Sequence, residues 1–191
     1  ASDVYKRQLP IGALSKNLEG KTLAELYDMH IHGAVAFSDG KRSVSDSGLI
    51  LRALLYAKSF GGNIMTWCSD KHIALDGKVN EGKTSTHLGI KGIPSLAEDL
   101  IVSRNIAIAA YCESPLHIHC VSSKKSVQLI REAKAKGLKI TADVSAHHLL
   151  LDDSNLESFD TNYKVLPPLR NREHIDALIA GLADGTIDAI C

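Results

Sequence analysis

The chain has 191 residues, with 22 basic and 22 acidic side chains that leave no net charge when its histidines are neutral. This balance excludes the basic footprint of a protein that binds nucleic acid or acidic membrane surfaces. A composition of 45% hydrophobic and 23% charged residues is typical of a globular domain, but the length is below the roughly 250 residues of a closed eight-stranded β/α barrel.

Six short apolar runs bounded by Gly, Ser or Asp predict strands that are buried on both faces of a parallel sheet. They cover residues 11–14, 34–37, 63–67, 116–121, 139–144 and 187–190. Longer amphipathic segments separate them. This alternation predicts repeated βα units in an α/β fold with a parallel sheet.

Helix boundaries are predicted from capping residues. Thr22 and Glu25 form a capping box before a first helix, and Asp46 is the predicted N-cap of a helix that ends at residue 60. A second box, Ser95 and Glu98, begins a third helix. The residues predicted to face the core are Leu96, Leu100 and Ile101 on the third helix and Ile175, Leu178, Ile179 and Leu182 on the last helix. The fourth helix covers residues 124–136 and is predicted to end at Gly137.

The connection from residue 69 to residue 94 is long, polar and spaced by glycines. Loops of this length inside compact α/β proteins are usually functional. It follows a strand, so it lies at the rim where α/β proteins bind ligands. The alternative is a surface excursion without a role.

Asp28-Met29-His30-Ile31-His32 has the Asp-x-His-x-His spacing of an amidohydrolase metal motif. Two histidines at i and i+2 share one face of a strand, but they lie about 200° apart on a helix. The helical periodicity before Asp28 places the motif on a helix. We therefore predict that it does not bind metal.

His117, His119 and Cys120 lie on a better predicted strand. If Leu116, Ile118 and Cys120 line a barrel interior, both histidines face the helices. Metal ligation then falls to Cys120 or needs a bulge that turns His119 inwards. The alternative is two partly buried histidines with hydrogen-bonded nitrogens.

Three further residues stand where strands meet their rim loops. Asp70 follows the third strand, and His147 and His148 follow the fifth. A carboxylate and an imidazole on different strand ends of one parallel sheet are plausible zinc ligands, although such residues also cap helices. Pro167 and Pro168 stiffen the backbone before Arg170, which is either a bidentate carboxylate donor or a surface residue.

The four cysteines, Cys68, Cys112, Cys120 and Cys191, are far apart and include no Cys-x-x-Cys pair. We therefore predict reduced thiols, without a disulfide framework or a zinc ribbon. No apolar run approaches the roughly 18 residues of a membrane span. The absence of an apolar leader makes a cytoplasmic location the default expectation.

Several motifs in order resemble an internal segment of dihydroorotases. They are Ile11-Gly12-Ala13-Leu14, Gly33-Ala34-Val35-Ala36-Phe37-Ser38-Asp39, Asn80-Glu81-Gly82, Leu88-Gly89-Ile90-Lys91-Gly92-Ile93-Pro94, Ala97-Glu98, Ala146-His147-His148-Leu149-Leu150-Leu151, Tyr163-Lys164-Val165-Leu166-Pro167-Pro168-Leu169-Arg170 and Asp184-Gly185-Thr186-Ile187-Asp188-Ala189-Ile190. The resemblance implies an incomplete (β/α) TIM-type barrel with parallel strands, in one partial domain over residues 9–191. Residues 1–8 do not fit it and are expected to be an unrelated scar or a disordered tail.

The resemblance also implies a reaction and a metal. Dihydroorotases reversibly hydrolyse dihydroorotate to carbamoyl aspartate in pyrimidine biosynthesis, with zinc to polarise the carbonyl and supply the nucleophile. Family positions place the paired histidines before this segment and the catalytic Asp beyond Cys191. The segment alone is therefore expected to be inactive.

Within the segment, the family's metal ligands fall on Asp70 and His148, while Cys120 stands at a third ligand position that is normally His. Arg170 is the remaining substrate-binding candidate, because Leu166 replaces the expected substrate-contacting Asn and has no polar group. These departures resemble inactive dihydroorotase-like chains that assemble with aspartate transcarbamoylase. Such a non-catalytic partner is the alternative prediction, and an allantoinase or hydantoinase relative is a third.

Overall fold

A computed structural model of the protein describes residues 8–191, so the expectation for residues 1–8 lies almost wholly outside the described part. The described strands are β1 (Ile11–Gly12), β2 (Ala36–Phe37), β3 (Asn63–Trp67), β4 (Val79–Asn80), β5 (Gly92–Ile93), β6 (Leu116–His119), β7 (Ile140–Val144) and β8 (Ala189–Ile190). The helices are α1 (Leu26–Ile31), α2 (Ser47–Lys58), α3 (Lys71–Ala74), α4 (Lys83–Leu88), α5 (Leu96–Cys112), α6 (Lys124–Ala135) and α7 (Arg172–Ala183).

Six parallel strands form the main sheet in the order β1-β2-β3-β6-β7-β8. All six predicted strands are present, although β1, β2 and β8 retain two paired residues each. Consecutive parallel strands joined by helices are the repeating unit of a β/α barrel. The predicted α/β class and the parallel sheet are therefore confirmed.

One face of the sheet packs under the helices. The apolar side chains on this face include Phe37, Ile64, Leu116, Ile118 and Ile140, all at most 2% exposed and part of the main core. The other face carries the alternate residues, and pairing places Met65 beside His117 and His117 beside Thr141. The side chains that can do chemistry on the sheet therefore share the face away from the helices.

Two predicted helix starts, at Asp46 and Ser95, agree with the structure, but neither of the two predicted capping boxes forms. The Asp46 carboxylate accepts the Gly48 N–H at 2.7 Å, as predicted for an N-cap. The box at Thr22 is wrong, because α1 begins only at Leu26 and has no side-chain cap. The helix α5 begins directly after Ser95, as predicted, but the box does not form, because the Glu98 carboxylate accepts the Ser122 N–H instead.

The predicted inward stripes are partly wrong. Leu96, Leu100 and Ile179 are 51%, 47% and 43% exposed. On α5 the buried stripe lies one position further along than predicted, and it includes the polar residues Glu98 and Asn105. A prediction from apolar periodicity misses such a stripe, because it does not count polar residues as buried. Ile101, Ile175 and Leu178 are buried as predicted.

The connection over residues 69–94 contains α3, β4, α4 and β5. Its two strands pair in parallel as a separate small sheet, with Val79 opposite Gly92. Elements of two to six residues leave no periodic signal in a sequence, so this unit was not predicted. Among the described residues, no helix is long and apolar enough to cross a membrane.

Candidate metal and active site at the carboxyl ends of the strands

Four ligand-type side chains converge where β6, β7 and β8 end. His119, Cys120, Asp143 and Cys191 each place one ligand atom within 4.8 Å of the others. We call this group the strand-end cluster. Parallel strands bring their carboxyl ends to one edge, which is where β/α barrels build their active sites.

The position of His119 reverses one expectation. Leu116 and Ile118 pack under the helices, so the face of β6 that carries His117 and His119 is the opposite one. The condition under which both histidines face the helices is therefore not met. The histidines occupy the side of the sheet that a barrel encloses.

Cys120 reaches the same place by a break in the strand. Its backbone has φ 55°, in the left-handed region, which ends the alternation after His119. The Cys120 N–H donates to Asp143 Oδ1 at 2.8 Å, and this bond holds the unusual conformation. Because of the break, two consecutive side chains point into one cluster.

Asp143 organises the cluster. Its Oδ2 atom accepts hydrogen bonds from His119 Nδ1 at 2.7 Å and His117 Nε2 at 2.9 Å. Burial alone raises the pKa of Asp143, but these two imidazole bonds and the Cys120 N–H lower it well below its usual range. The hydrogen bond that His119 donates to Asp143 raises the pKa of His119 to about 10.

Two thiols complete the group. Cys120 Sγ lies 3.3 Å from His119 Nε2 and 3.8 Å from Cys191 Sγ, and Cys191 Sγ lies 3.3 Å from Asp143 Oδ1. Burial opposes ionisation of Cys120, but the His119 and Ser145 bonds lower its pKa. Burial raises the pKa of Cys191 to about 11, so the two thiols differ in acidity.

Arg170 lies in a buried polar network beneath the rim. It is 2% exposed, so the surface alternative is wrong. Its guanidinium donates to Asn80 Oδ1 and to the Ile93 carbonyl, both at 2.9 Å, and lies 3.8 Å from Glu98 Oε2. Arg170 thus ties the unit of residues 69–94 to α5.

The other predicted site residues lie outside the strand-end cluster. Asp70 caps α3 by accepting the N–H groups of His72 and Ile73 at 2.8 and 3.3 Å. His148 is 2% exposed, and its Nε2 pairs with the Pro167 carbonyl at 3.0 Å. Burial lowers the pKa of His148 to about 4.

One nitrogen of His148 remains available. Its Nδ1 is buried without a hydrogen-bond partner in the described part of the chain, and a neutral imidazole nitrogen of this kind is a suitable metal ligand. Leu166, by contrast, is 45% exposed and offers only apolar surface just before Pro167. The structure therefore brings only Cys120, of the three predicted ligands, into the strand-end cluster.

The Asp28-x-His30-x-His32 motif lies on α1 and its carboxyl end, as predicted. His32 Nδ1 bonds to the Asp28 carbonyl at 2.7 Å, and the His30 ring packs against Phe60 at 5.0 Å. The two imidazoles do not share a strand face. The prediction of a helical motif is confirmed.

Sequence reasoning missed Asp143 and Cys191. Asp143 stands inside an apolar strand, where an unpaired carboxylate is costly, and that was a signal for a partner on the neighbouring strand. Cys191 carried no such signal, because its neighbours in the cluster are at least 48 residues away in sequence.

Solved structures define the class of fold. L-Hydantoinase (dihydropyrimidinase) from Arthrobacter aurescens matches with a TM-score of 0.77 at 21% identity, over 94% of this chain and 41% of that one. A D-hydantoinase matches with a TM-score of 0.72 at 23% identity, over 93% and 41%. The chain has the fold of part of these structures, an incomplete (β/α) barrel with parallel strands.

Sequence comparison gives the family. The family model described as "Dihydro-orotase-like" matches residues 4–126. Proteins named dihydroorotase from Syntrophus aciditrophicus and Pelotomaculum thermopropionicum are 47% and 48% identical over 181 residues, which is 95% of this chain and 42% of each relative. The chain belongs to the dihydroorotase-like family, and it spans less than half the length of these relatives.

Proposed function

We propose that the chain is part of a dihydroorotase that reversibly hydrolyses the cyclic amide of dihydroorotate to carbamoyl aspartate in pyrimidine biosynthesis, in the cytoplasm. The observation that carries the proposal is the 47% identity to a protein named dihydroorotase over 95% of the chain. The placement of ionisable groups at the carboxyl ends of the barrel strands is consistent with catalysis at that edge.

The family membership implies a metal, and we propose zinc. Asp70, Cys120 and His148 are the residues proposed to hold it, because carboxylate, thiolate and imidazole groups are all zinc donors. The unpartnered Nδ1 of His148 favours this assignment. Zinc, when bound, polarises the amide carbonyl and makes water a stronger nucleophile near neutral pH.

The chain's own groups have separate proposed roles. The lowered pKa of His148 keeps its imidazole neutral, so that it can donate a lone pair to the metal. Asp143 holds His117 and His119 in fixed orientations on the enclosed face of the sheet. Arg170 is proposed to fix the rim that receives the substrate's carboxylate, since its own donors are already paired within the protein.

A second candidate function is favoured by Leu166. The resemblance implies a substrate-contacting Asn at this position, and the apolar side chain of Leu166 cannot make the hydrogen bonds of an Asn side-chain amide. The alternative is a non-catalytic dihydroorotase-like partner of aspartate transcarbamoylase, without metal. A hydantoinase or allantoinase relative is the third and weakest candidate.

Asp70→Ser tests the zinc proposal without removing the helix cap. Serine is a good N-cap, so the variant keeps the stability that Asp70 gives to α3, whereas Asp70→Ala loses about 1 kcal/mol. We expect both variants of the full-length protein to lose zinc and dihydroorotate turnover. Only Asp70→Ala should also unfold at a lower urea concentration than the unmodified protein.

Zinc content by atomic emission and turnover of dihydroorotate are the two readouts. Full zinc occupancy and turnover in Asp70→Ser would show that Asp70 is only a cap. Turnover absent from the unmodified protein, together with co-purification of added aspartate transcarbamoylase, would favour the non-catalytic partner.

A further inference from the structure

We propose that the outer face of α5 is an interface at which two copies of this protein pair about a two-fold axis, with their α5 helices antiparallel. Five exposed residues form this face: Leu96, Leu100, Ser103, Ala107 and Tyr111. They recur at intervals of three and four residues, so they lie along one side of the helix. We call them the α5 outer face. The proposal does not rest on the proposed hydrolase activity.

The α5 outer face is apolar where the outer side of a surface helix is normally charged. Leu96 and Leu100 are about half exposed, and Tyr111 is 78% exposed. None of the five residues carries a charge. The neighbouring α6 has the usual polar outer side, formed by Lys124, Lys125, Gln128, Arg131 and Glu132. A helix that is apolar on its outer as well as its inner side is normally buried on both.

The charged residues on the flanks of α5 are held by neighbouring elements. The Arg104 guanidinium donates to the Ser45 and Val44 carbonyls, before α2, at 2.9 and 2.7 Å. On the other flank, Asp99 Oδ1 accepts the Ser126 hydroxyl of α6 at 3.1 Å. Both charges are turned aside from the α5 outer face. A second copy can therefore pack on this face without burying an unpaired charge.

Further strands of the barrel would not cover the α5 outer face. α5 lies in the connection between β3 and β6, the two central strands of the main sheet, and it packs between α2 and α6. Additional βα units of a barrel join at the free edges of the sheet, β1 and β8, with their helices beside them. The α5 outer face points away from the sheet, so a second molecule is the occupant that this position favours.

The α5 outer face is complementary to itself in an antiparallel pair. A two-fold axis beside Ser103 places Leu96 of one copy opposite Tyr111 of the other. The same axis places Leu100 opposite Ala107, so a large side chain meets a small one. The small side chains of Ser103 and Ala107 near the axis allow the two helices to approach closely. Tyrosine is also enriched among the residues that dominate the binding energy of interfaces.

The area is sufficient for a reversible dimer. The patch continues onto α2 through Leu55, which is 47% exposed and lies one turn from Leu51, whose carbonyl accepts the Cys112 thiol at 3.9 Å. α5 has 17 residues and α2 has 12. With a rise of about 1.5 Å per residue and a diameter of about 10–12 Å, two such helices present roughly 500 Å² per copy and roughly 1,000 Å² in a pair. This area is typical of weak, specific association.

Ser103→Glu tests the interface without disturbing the fold, because Ser103 is exposed and glutamate is a good helix former. Beside the two-fold axis, the substitution brings two like charges together. We expect sedimentation equilibrium of the full-length protein to show a monomer–dimer equilibrium, and Ser103→Glu to weaken the dimer by about 10-fold or more. The matched control Gln128→Glu, on the outer side of α6, should leave association unchanged.

A cross-link tests the antiparallel register. Under a mild oxidant, Ser103→Cys should form a disulfide between two copies at position 103, identified by mass spectrometry of the linked peptide, whereas Gln128→Cys should form none at position 128. A dimer without this link, or a dimer that Ser103→Glu does not weaken, would overturn the proposal.

A protein that is monomeric at every concentration would also overturn it. Reaction of Ser103→Cys with a thiol reagent would then leave the α5 outer face to a different protein, and protection from the reagent would show that another part of the same chain covers it. The hydrolase proposal fails separately, by absence of dihydroorotate turnover in protein that dimerises.

Discussion

Glu98→Gln should destabilise the protein much more than the loss of a surface charge. Glu98 is 4% exposed, and its carboxylate accepts the N–H groups of Ser122 and Ser123, both at 3.0 Å. It also lies 3.8 Å from the Arg170 guanidinium, which is 2% exposed. Glutamine keeps the shape but removes the carboxylate charge that interacts most strongly with Arg170.

The size of the effect follows from the distance and the burial. Two unit charges 3.8 Å apart interact by about 4 kcal/mol at an effective dielectric constant of about 20. Removal of one partner from a buried pair costs about 3–5 kcal/mol. The two figures agree, and they are a large part of the roughly 5–15 kcal/mol that stabilises a typical domain.

Equilibrium unfolding in urea, followed by circular dichroism, measures this loss. Asp176→Asn is the control, since its exposed i,i+4 pair with Arg172 should contribute nothing measurable. The double variant Glu98→Gln/Arg170→Met should lose less than the two single variants together. A Glu98→Gln variant as stable as the control, or strictly additive losses, would refute the reasoning.

Two further predictions concern other parts of the fold. Burial lowers the pKa of His174, whose Nδ1 accepts the Lys124 N–H at 2.9 Å. The stability that neutral His174 contributes should therefore be fully present above pH 6.5 and be lost as the pH falls below that value. The urea midpoints measured above and below this pH should differ less in His174→Gln than in the unmodified chain. Gly92→Ala should lower the free energy of unfolding by about 1–3 kcal/mol, because the added Cβ atom would lie 2.5 Å from Glu81 Cα. The control Gly82→Ala, whose added Cβ atom would have its nearest neighbour at 3.6 Å, should unfold at the same urea concentration as the unmodified chain.

The sequence predicted the strands better than their faces. Apolar runs such as 63–67 and 116–121 identified the sheet, because parallel strands buried on both sides are continuously hydrophobic. The same continuity removes the alternation that tells which side faces the helices, so the orientation of His117 and His119 needed coordinates. Gly137 and Asp46 were readable because their roles are local.

The candidate site was less predictable for a physical reason. Cys120 was found through its family position, but its partners Asp143 and Cys191 reach it only through strand pairing across 23 and 71 residues. Glu98 resembled a helix cap, yet its carboxylate binds the chain after β6. Single-sequence reasoning sees local spacing, whereas these bonds depend on which strands become neighbours.

The most direct test of the proposed function is dihydroorotate hydrolysis by the full-length protein that contains this segment, at neutral pH with and without added zinc. We predict that the protein forms carbamoyl aspartate, and that chelation of the metal stops the reaction until zinc is restored. Absence of turnover in folded protein supplied with zinc would contradict the proposal and leave the non-catalytic partner as the better account.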